Sequence, residues 1–316
     1  LPCRRSRCDV ESRESFVVLT ETTVRRVAPT AGISIQHELA DGIELERSVT
    51  ADWVGTAETA TPLVVRHERG DARPTAMTPV LHVSPWCTFH VDRRGEPACS
   101  FHAVFGEVDR LLSCEEPGQA YVVRYGAQPA APVVSLQSEL CAYAFAVAAR
   151  GVGLIAHACA FVTTGGRGVL CPGVSGTGKT TLARLLQGHA PSARVLTDDR
   201  AVVTLDDRLT LWGSPWPGAA GIADGGSAPL SAVMFIRHGR VSSLRRIAPP
   251  DAFRRIVNTL SIPLWEPSRC GRALEIIDAM VSSAALVEAT YPPTADAACW
   301  LSRAVETYSL GSDADR

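Results

Sequence analysis

The sequence predicts an α/β protein in which a mixed sheet is preceded by a β-rich region. An apolar strand pattern at 168–171 leads into a glycine-rich loop, which is followed by a helical pattern. Another apolar strand pattern, at 153–162, is joined to it by a short turn at 163–168, and this arrangement predicts an antiparallel hairpin. The first stretch of about 130 residues contains short alternating apolar runs between glycine, proline and charged clusters, which indicate strands.

Length and charge restrict the classes of function. The chain has 316 residues and a formal net charge of −2, which is enough for one large domain or two medium ones. This near-neutral charge argues against a nucleic-acid partner, because such proteins need a basic surface to displace counterions. The most apolar run, 142–162, is interrupted by Arg150 and two glycines, so we expect no membrane span and no membrane partner.

Residues 1–15 are polar and arginine-rich, and no apolar stretch follows them. We therefore expect no signal peptide and a cytoplasmic location. The chain contains ten cysteines, and in that compartment most of them are expected to be reduced.

The N-terminal region, 1–132, is predicted to be a β-rich domain of unassigned role. Its alternating apolar runs that best fit strands are at 15–20, 62–66 and 120–124. The segment 126–132 has the glycine, alanine and proline content of a linker. We therefore expect a domain boundary near residue 132.

A second domain is predicted over 133–310, with a loose tail at 311–316. It opens with a helix over about 138–150 that ends at Gly151. The elements predicted after the glycine-rich loop and its helix are a strand pair at 230–237 and 241–247, a helix from Asp251, a helix near 272–284, a strand at 285–291 and a helix after Thr294.

Lysine usage singles out one position. Of the 31 basic residues, 30 are arginine, and the single lysine is Lys179. It lies in Gly173-Val-Ser-Gly-Thr-Gly-Lys-Thr180, which matches the phosphate-binding pattern G-x-x-x-x-G-K-[ST]. Lysine is a compact point charge and arginine a planar fork, so a chain rich in arginine has a physical reason to keep lysine in a phosphate nest. The alternative is a chance match in a glycine-rich stretch.

This motif predicts a site for ATP and Mg²⁺. Backbone N–H groups of the loop and of the following helix would surround a β-phosphate, and Lys179 would reach the β- and γ-oxygens. The Thr180 hydroxyl would bind the magnesium ion. The helical pattern after Lys179 is expected to stop at Gly188 and Pro191. The predicted nucleotide-binding residues are Gly173, Ser175, Gly176, Thr177, Gly178, Lys179, Thr180 and Thr181.

An acidic pair follows at short distance. A strand pattern at 194–197 ends in Asp198 and Asp199, 19 and 20 residues after Lys179. One of two carboxylates at a strand end can hold Mg²⁺ while the other accepts a proton from an attacking hydroxyl. An exposed turn with two solvated acids is the alternative. His157 lies in the middle of the first hairpin strand, where a histidine serves either as a satisfied core residue or as a chemical group.

The histidine, the loop and the acidic pair together carry a family resemblance. Gly153-Leu-Ile-Ala-His157, the segment 168–183 and Val195-Leu-Thr-Asp198-Asp199 resemble the catalytic domain of HPr kinase/phosphorylase. They are more distantly similar to ATP-dependent phosphoenolpyruvate (PEP) carboxykinase. The resemblance covers roughly residues 138–305. It implies a mixed-sheet P-loop kinase domain of the HPr kinase/PEP carboxykinase type.

The resemblance also implies roles for individual residues. Lys179 would contact the phosphates, and Thr180 with Asp199 would bind magnesium. Asp198 would be the general base on the acceptor hydroxyl, with His157 beside it tuning its proton. The implied activity is transfer of the γ-phosphoryl group of ATP to an alcohol, with a serine hydroxyl of a small molecule, peptide or small protein as acceptor. Relatives often assemble, so a homo-oligomer is compatible with the resemblance, although no interface pattern is legible.

The chain departs from the family pattern at several positions. Val174 stands where an acidic residue is usual and Thr181 where glutamate is usual, and Ala219 and Ala220 occupy the region where the phosphate-removing reaction needs an acid. These departures argue against the reverse reaction and against HPr as acceptor. Two other functions stay open. One is a small-metabolite kinase on an all-parallel P-loop fold, which the hairpin disfavours, and the other is a nucleotide sensor without transfer activity.

Two Cys-x-x-His motifs in the N-terminal region have residue types that zinc accepts. Cys87, His90, Cys99 and His102 form the pattern C-x₂-H-x₈-C-x₂-H. A hairpin turn at 94–95 would place Cys87 opposite His102 and His90 opposite Cys99. Because strand residues three apart point to opposite faces, such a hairpin would give two half-sites. Structural zinc and ordinary strand residues are the two interpretations.

Overall fold

The computed structural model describes residues 23–40, 43–45, 61–84, 87–102, 108–126, 133–134 and 136–314. The strand predicted over 15–20 and most of the predicted linker at 126–132 lie outside these residues. Within them the protein is a mixed α/β structure with two large sheets and five helices, which confirms the predicted class. No helix in this part of the chain is long and apolar enough to cross a membrane.

Strands account for the regular structure described before residue 127, as the alternating apolar runs predict. They are β1 (Thr23–Thr30), β2 (Ile33–Leu39), β3 (Glu44–Leu45), β4 (Thr61–Arg69), β5 (Thr78–Ser84), β6 (Cys87–Val91), β7 (Pro97–His102), β8 (Val108–Glu116) and β9 (Ala120–Tyr125). Eight of them form a sheet in the order β1-β2-β4-β9-β8-β7-β6-β5. Its β2–β4 and β4–β9 pairs are parallel, so this sheet is mixed.

The remaining elements of the described chain are nine strands and five helices. They are β10 (Val133–Val134), α1 (Leu136–Arg150), β11 (Gly153–Val162), β12 (Gly168–Pro172), α2 (Lys179–His189), β13 (Arg194–Thr197), β14 (Arg200–Leu205), β15 (Leu209–Trp212), β16 (Ser227–His238), β17 (Ser243–Arg246), α3 (Pro249–Val257), α4 (Pro267–Ser283), β18 (Ala285–Tyr291) and α5 (Ala295–Ala314). Helix α2 passes through Gly188 before it ends. Helix α5 continues to Ala314, past the start of the predicted loose tail.

The predicted hairpin before the glycine-rich loop is confirmed. Strands β11 and β12 are antiparallel, with Cys159 opposite Cys171. The second sheet has the order β12-β11-β14-β15-β16-β18-β17, and β13 pairs with β11 off this path. A further pairing of β12 with β16 closes five strands into a small barrel. Since β12, β16 and β18 run parallel, their carboxyl ends meet at one edge, where open α/β sheets place their ligands.

The strands predicted at 230–237 and 241–247 exist as β16 and β17, but they are not neighbours. Strand β18 lies between them, parallel to β16 and antiparallel to β17. The short connection between the two strands suggested a hairpin. Pairing with a strand from much later in the sequence leaves no local signal, so this part of the prediction was wrong.

Helix α1 lies between the two sheets. The Phe145 ring is 5.7 Å from the ring of Phe89 on β6 and 5.2 Å from that of Trp265, which precedes α4. Two residues earlier in the helix, the Tyr143 ring is 4.8 Å from that of Trp216. Both helix residues are about 1% exposed. Full burial of an aromatic side chain contributes roughly 1.5–3 kcal/mol to the free energy of unfolding. The same core cluster contains residues of this helix and of both sheets, so the helix joins the sheets in one core.

The Cys-x-x-His hairpin forms, with a register one residue away from the predicted one. Cys87 lies opposite Phe101, and His90 lies opposite Ala98. The side chain of Asp92 accepts hydrogen bonds from the N–H groups of Arg94 and Glu96, which closes a turn with Gly95 at φ +81° and sets this register.

The two cysteines of this hairpin therefore share one face and the two histidines share the other. Cys87 Sγ lies 3.0 Å from Cys99 Sγ, whereas His90 Nε2 lies 2.9 Å from the hydroxyl of Ser100. In the described ranges no group of three or more histidine, cysteine or acidic side chains could hold a metal ion.

A buried polar chain runs across the N-terminal sheet toward α1. His37 Nδ1 lies 2.9 Å from His67 Nε2, and His67 Nδ1 lies 3.0 Å from the hydroxyl of Tyr125. At the other end, His37 Nε2 lies 3.5 Å from a carboxylate oxygen of Glu139 on α1. Burial, together with repulsion from His37, holds the pKa of His67 well below its usual value.

We expect these buried, hydrogen-bonded side chains to make the stability of the fold sensitive to acid. The folded state binds a proton at His67 less readily than the unfolded chain, so stability is lost as the pH falls below the unfolded pKa of about 6.5. Between pH 7 and pH 5 this single group should remove about 2 kcal/mol from the free energy of unfolding. Urea denaturation at both pH values measures the loss, and His67→Gln should remove most of the pH dependence. An unchanged pH dependence in the variant would contradict this expectation.

Candidate active site

Residues 173–178, here called the glycine loop, connect β12 to α2. Gly176 and Gly178 have φ values of +85° and +99°, which side-chain-bearing residues rarely adopt. A Cβ at Gly178 would lie 2.6 Å from His238 Nε2, and one at Gly173 would lie 2.4 Å from Thr177 Oγ1. The tight turn and the close neighbours therefore require glycine at these positions.

The glycine loop and the first turn of α2 carry unused hydrogen-bond donors. Within the described ranges, no hydrogen bond uses the backbone N–H groups of Gly176, Gly178, Lys179 or Thr180. The first N–H groups of a helix have no partner inside it, and they carry the positive end of its dipole. An anion at this end of α2 would meet these donors.

Lys179, the first residue of α2, is only 5% exposed. Its Nζ donates hydrogen bonds to the carbonyl oxygens of Gly173, at 2.6 Å, and Val174, at 3.0 Å. Burial lowers the pKa of this ammonium, and attraction to Asp199 partly opposes the effect. The single lysine of the chain is thus folded back against the first half of the glycine loop.

Asp199 lies at the turn between β13 and β14 and contacts two basic side chains. Its Oδ1 is 2.9 Å from His157 Nε2, and its Oδ2 is 3.0 Å from Arg200 Nη1. Burial would raise the pKa of this carboxyl, but the hydrogen bond from His157 and the charges of Arg200, His157 and Lys179 outweigh burial and lower it. Asp199 is therefore an ionised carboxylate attracted to Lys179.

Asp198 is fully buried and structurally engaged. Its Oδ1 accepts hydrogen bonds from the backbone N–H groups of Gly218 and Ile222, and its Oδ2 accepts one from Ala220. A Cβ added to Gly218 would lie 2.6 Å from Asp198 Oδ2. Asp198 thus anchors the loop at 218–222, whereas Asp199 is the more accessible carboxylate of the pair.

His157 also differs from its predicted partnership. The family resemblance implies that His157 lies beside Asp198, whereas its Nε2 is 2.9 Å from Oδ1 of Asp199. Strands β11 and β14 are antiparallel, and His157 lies opposite Arg200. The imidazole ring, Asp199 and Arg200 therefore meet at one end of these strands. The side chain of His157 is 31% exposed, and within the described residues its Nδ1 has no hydrogen-bond partner.

The remaining predicted residues surround the start of α2. Ser175 and Thr181 are exposed, Thr180 is half-buried, and the Thr177 hydroxyl donates to the carbonyl oxygen of Val174 at 2.9 Å. Sequence analysis missed Arg200, although its position directly after the acidic pair was the available signal.

Comparison with known proteins adds no assignment to this geometry. No protein-family model matches the chain, and no curated protein matches it either.

Proposed function

We propose that the protein is an ATP-dependent phosphotransferase that transfers the γ-phosphoryl group to an alcohol, with a serine-type hydroxyl as acceptor. The observation that carries this proposal is the Asp199–His157 pair, attracted to the only lysine of the chain at the unpartnered N-terminus of α2. Anion-binding donors, a buried cation and an oriented histidine are the parts that phosphoryl transfer to a hydroxyl needs.

We infer that the glycine loop is a phosphate-binding loop in a fold of the HPr kinase/PEP carboxykinase type. The antiparallel hairpin of β11 and β12 supports this type over an all-parallel P-loop fold. In this role the backbone N–H groups of the loop bind the phosphates, and Lys179 leaves the carbonyl oxygens of Gly173 and Val174 to contact the β- and γ-oxygens. The Ser175, Thr177 and Thr181 hydroxyls complete the polar lining.

The residues around Lys179 fit a magnesium ion. The Thr180 hydroxyl and the Asp199 carboxylate are oxygen ligands of the kind that Mg²⁺ prefers. When bound, the ion neutralises charge on the β- and γ-phosphates. Asp199 is suited to this position because its lowered pKa keeps it ionised at neutral pH.

In the proposed reaction, His157 is the proton acceptor. The acceptor oxygen attacks the γ-phosphorus while the bond from that phosphorus to the β,γ-bridging oxygen breaks, and ADP leaves with the electron pair. The hydroxyl proton passes to Nδ1 of His157. Asp199 accepts the hydrogen bond from Nε2, which orients the ring and stabilises the imidazolium that forms. Asp198 holds the loop at 218–222 and takes no part in proton transfer.

Transfer of label from γ-³²P-ATP with Mg²⁺ tests the function directly. The acceptors are free serine, free threonine and serine-containing peptides, and we expect label in a hydroxyl acceptor together with an equal amount of ADP. Equilibrium dialysis with the same nucleotide measures binding independently. Nucleotide binding without label in any acceptor would favour a nucleotide sensor over a kinase.

A further inference from the structure

An open cleft of about 310 Å³ lies directly beside the glycine loop. It sits at the carboxyl ends of the parallel strands β12 and β16 and is bounded on the far side by α3 and the residues after it. Residues that define its walls are Gly173, Val174, Phe235, Arg237, Arg255 and Thr259.

The cleft is next to the part of the loop that holds Lys179. The two carbonyl oxygens that accept hydrogen bonds from Lys179 Nζ belong to Gly173 and Val174, which are both wall residues. Thr180 and Thr181, on the α2 side of the loop, do not line it. In the proposed function, a phosphate bound by Lys179 would therefore lie next to loop residues that border this cleft.

The cleft is also connected to the proposed proton acceptor. The carbonyl oxygen of Thr259 accepts a hydrogen bond of 2.7 Å from the backbone N–H of His157. The wall formed by the end of α3 is thus bonded to the strand position that carries the imidazole.

The charged groups of the cleft leave an excess of positive charge. Glu288, whose side chain is 2% exposed, accepts two hydrogen bonds from Arg245 and one of 2.8 Å from Arg255 Nη1. Burial would raise the pKa of Glu288, but these arginine hydrogen bonds outweigh it and the pKa is lowered, so the group is a carboxylate. Arg245 does not line the cleft, and its charge balances that of Glu288. Arg237 makes a weaker contact, with its Nη1 3.8 Å from Oε1 of Glu288. Arg237 and Arg255 therefore keep positive charge for a ligand.

Arg255 is also held in a fixed position. Its guanidinium carbon lies 5.1 Å from the centroid of the Phe235 ring, and its Nη1 is bonded to Glu288. A guanidinium that is already oriented loses little freedom when its remaining N–H groups bind a carboxylate. Phe235 and Val174 give the same cleft an apolar wall.

We propose that this cleft binds the phosphoryl acceptor, and that the acceptor carries a carboxylate, which Arg255 and Arg237 recognise, close to its hydroxyl. The proposal rests on the proposed kinase function and names its substrate class. A free hydroxy amino acid and a peptide that ends in serine share this chemistry.

The test compares L-serine with L-serinamide, in which a neutral amide replaces the carboxylate, and Ala-Ala-Ser with its C-terminal amide. For the wild type we expect the carboxylate form of one pair to be preferred roughly 10- to 100-fold in kcat/KM, as the loss of a charged hydrogen-bond partner implies. Whether the first or second pair shows the preference distinguishes a free amino acid from a peptide terminus. Arg255→Met should raise the acceptor KM by a similar factor, reduce the preference and leave the KM for ATP unchanged.

Arg240→Met is the matched control, because Arg240 is exposed between β16 and β17 and does not line the cleft. Since Arg255→Met also removes a partner of buried Glu288, Arg237→Met provides a second variant with a weaker link to that carboxylate. Equal use of acid and amide by the wild type would overturn the proposal. A rise in the KM for ATP in both cleft variants, with unchanged acid preference, would instead assign the cleft to the nucleoside.

Calorimetry separates this proposal from the kinase function. Binding of L-serine or Ala-Ala-Ser in the presence of ADP needs no chemical step. Carboxylate-dependent binding that is lost in Arg255→Met would support the cleft even if no acceptor were labelled. Absence of binding by both carboxylate forms would overturn the cleft proposal, and label transfer would still decide the kinase function.

Discussion

Replacing Asp199 by asparagine is expected to reduce kcat by about 10²- to 10⁴-fold. It should also lower the melting temperature modestly, because the lowered pKa of Asp199 means that the folded state favours the ionised carboxylate. The asparagine lacks the charge that holds the His157 imidazolium and that suits magnesium, and its amide can present a donor to Nε2 and so favour the wrong tautomer. Asp199 is half-buried and contacts the side chains of His157 and Arg200. Among the described residues, no backbone N–H donates a hydrogen bond to its carboxylate. Steady-state transfer rates and thermal denaturation of the same preparations measure the two effects.

Asp198→Asn is the matched control one residue away. Its amide nitrogen would face at least one of the backbone N–H groups that now donate to the carboxylate. A buried donor left unpaired costs about 1–3 kcal/mol, so this variant should lose stability. If Asp198→Asn abolished transfer at unchanged stability while Asp199→Asn remained active, Asp198 would be the base and the assignment made from the structure would be wrong.

Both Lys179→Met and Lys179→Arg are expected to reduce transfer by about 10²-fold or more, with ATP binding weakened roughly 10-fold. Lys179 Nζ lies close to two loop carbonyl oxygens in a buried position, and a planar guanidinium does not fit where a compact ammonium does. Because burial lowers the pKa of Lys179, its charge is not favoured by the folded state, and the methionine variant should melt no earlier than the wild type. Label transfer, equilibrium dialysis and thermal denaturation check these three expectations.

Arg208→Lys serves as the comparison, since it exchanges the same two residue types at an exposed position between β14 and β15. It should behave like the wild type. Retention of activity in Lys179→Arg would show that the position requires positive charge alone, and would remove the argument that a compact ammonium is needed.

Local patterns predicted the elements that position the candidate site. The strand, glycine loop and helix follow from apolar periodicity interrupted by glycines, and β13 and β18 have the predicted bounds of 194–197 and 285–291. The hairpin of β11 and β12 was predictable because a short turn with Gly165 and Gly166 joins two apolar runs. Each of these signals lies within a few residues of the structure that it specifies.

What could not be predicted depends on residues distant in the sequence. Which of the two aspartates is buried depends on the loop at 218–222, which folds over Asp198 and donates backbone N–H groups to its carboxylate. The hairpin register after Cys87 depends on the side chain of Asp92, which captures N–H groups beyond it. Likewise, the arginines around Glu288 meet only because β18 inserts between β16 and β17.

Helix α1 determines how the chain can be divided during evolution or in the laboratory. Its aromatic side chains contact Phe89 of the N-terminal sheet and, outside the strands of the second sheet, Trp216 and Trp265. The same core cluster includes Ile155 and Val202 of the second sheet. A fragment that keeps only one of these sheets would expose an apolar strip to water, which favours aggregation. We therefore expect both sheets and the helix to unfold as one cooperative unit. A cut near residue 132 would divide this unit, because residues on both sides of the cut belong to the same core. If recombination moved the glycine loop and its strands to another protein together with α1, that protein would have to supply an apolar surface that buries the side of α1 now packed against the N-terminal sheet.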